Sequence, residues 1–161
     1  MLFRGHARPG AGRGRDPLVG ALAAAMLSVV VAAAGVGPAA AQTAKEVDAS
    51  LDGLFGGHAS TQRFLEALKA AVAADDRPGV AALVDYPLKT RMGGKAVTVK
   101  DAAHFVAGYD RIMTDKVKKA IGRQTYAQLF ANWQGVMIGD GEVWFAPLDN
   151  SDKIRITAIN N

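Results

Sequence analysis

Residues 132–148 read Asn132-Trp133-Gln134-Gly135-Val136-Met137-Ile138-Gly139-Asp140-Gly141-Glu142-Val143-Trp144-Phe145-Ala146-Pro147-Leu148. Asp140-Gly141 between two apolar runs is a strong hairpin signal, because a tight turn needs positive φ angles that Asp tolerates and Gly adopts freely. The expected strands are 128–138 and 142–148. With that turn Ile138 faces Val143, Met137 faces Trp144, Val136 faces Phe145 and Gly135 faces Ala146. An antiparallel ribbon covered on one side should alternate apolar and polar residues. This one does so poorly. One face carries Val136, Ile138, Val143 and Phe145, and the other carries Trp133, Met137, Trp144 and Leu148. Three readings compete: the sheet curls around a pocket, the second face is an interface between copies, or a bulge shifts the register by one residue. Beside them stands the plain one, that aromatic residues on strands are ordinary core.

Outward from the hairpin, residues 153–159 alternate as a last strand, with Ile154, Ile156 and Ala158 on one face and Lys153, Arg155 and Thr157 on the other. Upstream, Gly93-Gly94 joins strands 88–92 and 95–99 in a smaller hairpin that pairs Thr90 with Val97 and Leu88 with Val99. Between the hairpins, residues 100–113 form a helix with a Phe105, Val106, Tyr109, Ile112, Met113 stripe. Residues 114–121 form a shorter one, closed by Gly122, whose lysines face water. Before the first hairpin, residues 61–74 place Phe64, Leu65, Leu68, Ala71 and Val72 at helical spacing. Residues 77–84 follow as a short helix with Pro78 near its start. Residues 42–59, with Gly53, Gly56, Gly57 and a lone His58, read as a flexible N-terminal tether holding at most one helical turn.

Helices and strands are therefore grouped rather than alternating, which predicts an α+β domain over residues 60–161, with N-terminal helices packed on a curved antiparallel sheet.

The first 41 residues are of another kind. Arg4, Arg8, Arg13 and Arg15 precede an uncharged run from Leu18 to Val36, and Pro38 leads into Ala39-Ala40-Ala41. A basic start, an apolar run and a small-residue site describe a signal peptide cleaved near Ala41, so the mature chain is expected in the periplasm or secreted, meeting the membrane only during export. The competing uncleaved anchor is disfavoured, since nine of the 19 residues in the run are Ala or Gly. The whole chain has a net charge of +4. Beyond Ala41 there are 15 basic and 14 acidic residues, a net of +1. The electrostatic footprint of a nucleic-acid binder is missing, and no nucleic-acid partner is expected. Cysteine is absent, which excludes disulfides, thiolate metal sites and a cysteine nucleophile.

The stretches Asp85-Tyr86-Pro87-Leu88, Phe105-Val106-Ala107-Gly108-Tyr109-Asp110 and 132–145, in this element order, resemble small exported members of the nuclear-transport-factor-2-like superfamily. That superfamily includes ketosteroid isomerase, scytalone dehydratase and the polyketide cyclases. The resemblance covers about residues 60–160. It implies an α+β cone with a cavity between sheet and helices, and often a homodimer through the sheet.

The enzymes of that superfamily use a cavity carboxylate as base and a Tyr or Asp as oxyanion donor. Asp85, Tyr86, Tyr109, Asp110 and His104 are the residues here of the right types. None aligns with the isomerase motif residue by residue. Each also has a plainer reading: a turn aspartate, a core tyrosine, a helix histidine. Metal binding is not expected, because residues 42–161 hold only His58 and His104 and no spaced acidic loop. No phosphate-cradling glycine loop, cofactor motif or nucleophile elbow is present.

Two function classes follow. The first is an exported, non-catalytic binding module for a small apolar ligand or a protein partner, using Trp133, Met137, Trp144 and Leu148. The second is an isomerase-, dehydratase- or cyclase-like enzyme with Asp85 or Asp110 as base and Tyr86 or Tyr109 as donor. An inhibitor or immunity-type protein of the cell envelope also fits the compartment.

Overall fold

A computed structural model describes residues 42–148 and 151–161. The leader expected over residues 1–41 lies outside the described residues. Over these residues the chain is α+β, with helices packed on a six-stranded sheet that is not closed.

Helix α1 (Ala44–Phe55) begins at a capping box. The Glu46 N–H donates to Thr43 Oγ1 at 3.3 Å, while the Thr43 N–H donates to Glu46 Oε2 at 2.7 Å, which satisfies two N–H groups the helix start leaves without partners. Val47 and Leu51, one turn apart, are wholly buried. The segment expected as a tether is thus a docked helix. Gly53, Gly56 and Gly57 diluted its apolar spacing, and Gly56 in the left-handed region ends it. Helix α2 (Ala59–Ala73) buries Phe64, Leu65 and Leu68. Helix α3 (Arg77–Ala82) is capped by Asp76, which accepts the Gly79 N–H at 2.9 Å.

Strands β1 (Val84–Met92) and β2 (Lys95–Val99) pair as expected, Thr90 opposite Val97 and Leu88 opposite Val99. The single helix expected over 100–113 is two, α4 (Ala102–Ala107) and α5 (Tyr109–Ile112), divided at Gly108. Helix α6 (Asp115–Arg123) continues past Gly122. Its lysines were expected to face water together, but Lys118 lies over the Tyr109 ring at 5.0 Å.

A 3-10 turn (Tyr126–Gln128) leads into β3 (Phe130–Asn132), β4 (Gly135–Ile138), β5 (Val143–Pro147) and β6 (Ile154–Ile159). The long strand expected over 128–138 folds back on itself at Trp133-Gln134, because Gly135 adopts φ 140°. The β4–β5 register is the expected one. Sheet order is β2-β1-β6-β5-β4-β3. The expectation of a wholly antiparallel sheet is corrected between its second and third strands, where β1 and β6 run parallel. The C-terminal meander builds inward from the far edge, and its last strand meets β1 running in the same direction. β6 also carries a bulge at Thr157, opposite the Trp144–Phe145 step. The extra residue places Ala158 across from Trp144 and turns Ile159 into the core, which plain alternation had assigned otherwise.

The face under the helices holds Val136, Ile138, Val143, Phe145, Ile156 and Ile159, all fully buried. Phe64 of α2 stacks on Phe145 with ring centroids 4.8 Å apart.

Candidate functional site

The opposite face of the sheet carries a row one residue wide that crosses all six strands. Phe130 faces Met137, Met137 faces Trp144, Trp144 faces Ala158, Ala158 faces Lys89, and Lys89 faces Thr98. Met137, Trp144 and Ala158 are half-buried, and Phe130 is 49% exposed. The row is apolar at the meander end and polar at the β1–β2 end.

Shallow grooves flank the Trp144 ring. One, of about 390 Å³, lies over Thr157 and Ala158 and is bounded by Gln134 and Asn160. The other, of about 400 Å³, runs from Met137 and Trp144 across Gly141 to Glu142 and Lys116. A third, of about 450 Å³, shares Lys116, Asp140 and Glu142 with it and adds Lys119 and Arg123 of α6.

The β4–β5 hairpin tip that forms this rim is braced. Glu142 has only 7% of its side chain exposed, yet both carboxylate oxygens are used. Oε2 accepts the Asp140 N–H at 2.6 Å, and Oε1 lies 3.2 Å from Lys116 Nζ. Burial pushes this carboxyl up, but the Asp140 N–H, the Lys116 ammonium and its own N–H outweigh burial and hold it below the usual range. Asn160 Nδ2 donates to the Gly141 carbonyl at 2.7 Å, and the Gly139 N–H donates to Gln124 Oε1 at 2.8 Å. The rim is therefore tied to Lys116, Gln124 and Asn160 rather than standing free.

Of the residues singled out in the sequence, Met137 and Trp144 are brought together on this face. Trp133 stands apart in the β3–β4 turn, 81% exposed. Leu148 is half-buried just beyond β5, where its N–H bonds the Lys153 carbonyl at 2.9 Å. Phe130, Gly141, Asn160 and Lys116 join the site without a sequence signal, except that Phe130 faces Met137 once the fold-back is known.

The residues considered for catalysis lie away from this row, and only Tyr109 and Asp110 are brought together, through Arg77, which pairs with Asp110 and lies over the Tyr109 ring at 5.0 Å. The Tyr86 hydroxyl donates to the Ala81 carbonyl at 2.9 Å, and burial pushes it up to about 12. Tyr109 is buried edge-on against Phe105, its hydroxyl without a hydrogen-bond partner among the described residues. Asp110 is exposed and takes both Arg77 Nη atoms at 3.0 and 3.1 Å. His104 Nδ1 lies 2.8 Å from Asp101 at the exposed start of α4. Asp85 is half-buried near the start of β1. Among the described residues, no group of three or more His, Cys, Asp or Glu could hold a metal ion.

A titratable cluster the sequence reading missed joins α1 to the rest of the fold. Tyr126 donates to Asp48 Oδ1 at 2.7 Å, and His58 lies 2.8 Å from Asp52 and 4.0 Å from Asp48. The sequence places a lone His58 in the expected tether. Its partners sit on α1, six and ten residues upstream, and become visible only once that segment is a helix. The Asp52 carboxylate raises the His58 imidazole above its ordinary value.

No protein-family model, curated protein or solved structure matches this chain.

Proposed function

We propose that this chain is an exported, non-catalytic binding module whose working surface is the uncovered side of the sheet around Met137 and Trp144. Arg4 to Ala41 supports export. The observation that carries the binding reading is the cross-strand row. An indole and a thioether stand side by side where no helix of the described residues lies over them, next to grooves and backed by a braced hairpin. Covering roughly 150 Å² of apolar surface there contributes about 4 kcal/mol at ~25 cal/mol per Å². That is a grip on the order of millimolar before the costs of association. A useful affinity needs a further polar or charged contact.

Native mass spectrometry of gently purified chain, wild type against Trp144→Ala, tests the reading. A retained small molecule or a second copy in the wild type, lost from the variant, is the expected result. The same bare monomer in both samples overturns it.

A further inference from the structure

The groove beside Trp144 shares Lys116, Asp140 and Glu142 with a neighbouring groove that carries a positive stripe. Lys116, Lys119 and Arg123 sit at spacings of three and four on α6, so they share one side of the helix and line the neighbouring groove. Lys116 is committed to Glu142. Lys119 and Arg123 are exposed, and neither pairs with a carboxylate among the described residues. Asp140, at the hairpin tip between them and Trp144, offsets one of these two cations. An excess of one positive charge remains, in the groove next to the one that Met137 and Trp144 line.

From this juxtaposition we propose that the ligand is a single-chain amphiphile with one anionic head, a carboxylate or a phosphate or sulfate monoester. Its chain lies on Met137 and Trp144, and its head is held by Lys119 and Arg123. The proposal rests on the binding-face reading above and names its ligand class. The charge matters because the apolar contact alone is weak, whereas a charge-assisted hydrogen bond at the same site raises affinity tenfold or more. The attraction is exposed, so added salt weakens it.

Isothermal titration of the whole chain compares dodecyl phosphate, dodecyl maltoside and dodecyltrimethylammonium, each below its micelle concentration. The phosphate is expected to bind tenfold or more tighter than the maltoside, and the cationic amphiphile weakest. In the Lys119→Glu/Arg123→Glu variant, whose changes lie on the exposed side of α6, the phosphate should lose its advantage while maltoside binding stays. Equal affinity for all three heads overturns the anionic site but leaves the binding face standing. So does a phosphate preference that the double variant keeps. No binding by any of the three overturns the inference. If Trp144→Ala also leaves the native mass spectrum unchanged, the binding-face reading falls with it.

Discussion

Met137 and Trp144 face each other across β4 and β5, and both lean over Gly141. A Cβ on that glycine would lie 3.6 Å from the Trp144 indole nitrogen and 3.7 Å from the Met137 sulfur. A side chain at Gly141 would thus rest against both the indole and the sulfur. An aromatic–thioether pair of this kind adapts to irregular apolar ligands because the sulfur is polarisable and its stem flexible.

The two tryptophans should separate in their effect on stability. Trp133→Ala removes an indole that is 81% exposed and should change unfolding free energy by less than ~0.5 kcal/mol. Trp144→Ala strips a half-buried ring from the row and should cost about 1–2 kcal/mol. Urea melts of both variants check this, and equal losses would mean that Trp133 packs where the structure leaves it free.

Two glycines should respond with opposite sign. Gly135 has φ 140°, and a Cβ there would lie 2.6 Å from the Phe145 carbonyl oxygen. Gly135→Ala should cost about 2 kcal/mol or more, because neither the backbone nor the partner strand can yield cheaply. Gly53 lies inside α1 with nothing within 4 Å of an added Cβ. Gly53→Ala should stabilise by about 0.5–1 kcal/mol through helix propensity. Thermal or denaturant midpoints moving the same way in both would contradict this account.

Stability should fall at both ends of the pH range for different reasons. Glu142 is held below its ordinary range in the fold, so its contribution is present above the unfolded carboxyl value and is lost as pH drops through the folded one. His58 is raised above 6.5, so its contribution is full below that value and is lost as pH rises through the folded one. Denaturation midpoints between about pH 3 and pH 8 should therefore lose part of their acid slope in Glu142→Gln and part of their near-neutral slope in His58→Gln. Slopes unchanged in both variants would show that these ties are not formed.

Tyr109→Phe should be neutral or stabilising by up to ~1 kcal/mol. The hydroxyl is buried with no partner among the described residues, so its removal ends an unpaid desolvation. Tyr109→Ala should cost about 3–5 kcal/mol, since the ring is packed edge-on against Phe105 with Arg77 and Lys118 each 5.0 Å from its centroid. A loss above ~2 kcal/mol on Tyr109→Phe would reveal a hydrogen bond the structure does not contain.

Local rules carried a large share of this fold. The Gly93-Gly94 and Asp140-Gly141 turns set two registers residue by residue, because a turn's φ requirements bind its nearest neighbours and the two-residue period does the rest. Apolar spacing also placed α2, α3 and α6 to within a few residues. The doubly apolar character of the second hairpin was likewise plain from composition alone. What the tertiary structure decided were the non-local partnerships. β6 lies parallel to β1, the bulge at Thr157 sends Ala158 to the open side, and α1 docks through Val47 and Leu51. Glu142 becomes a buried brace because Lys116 from α6 arrives beside it. Each depends on the free energy of surfaces that meet only after long stretches of chain have closed, and no short window of residues encodes which surfaces those are.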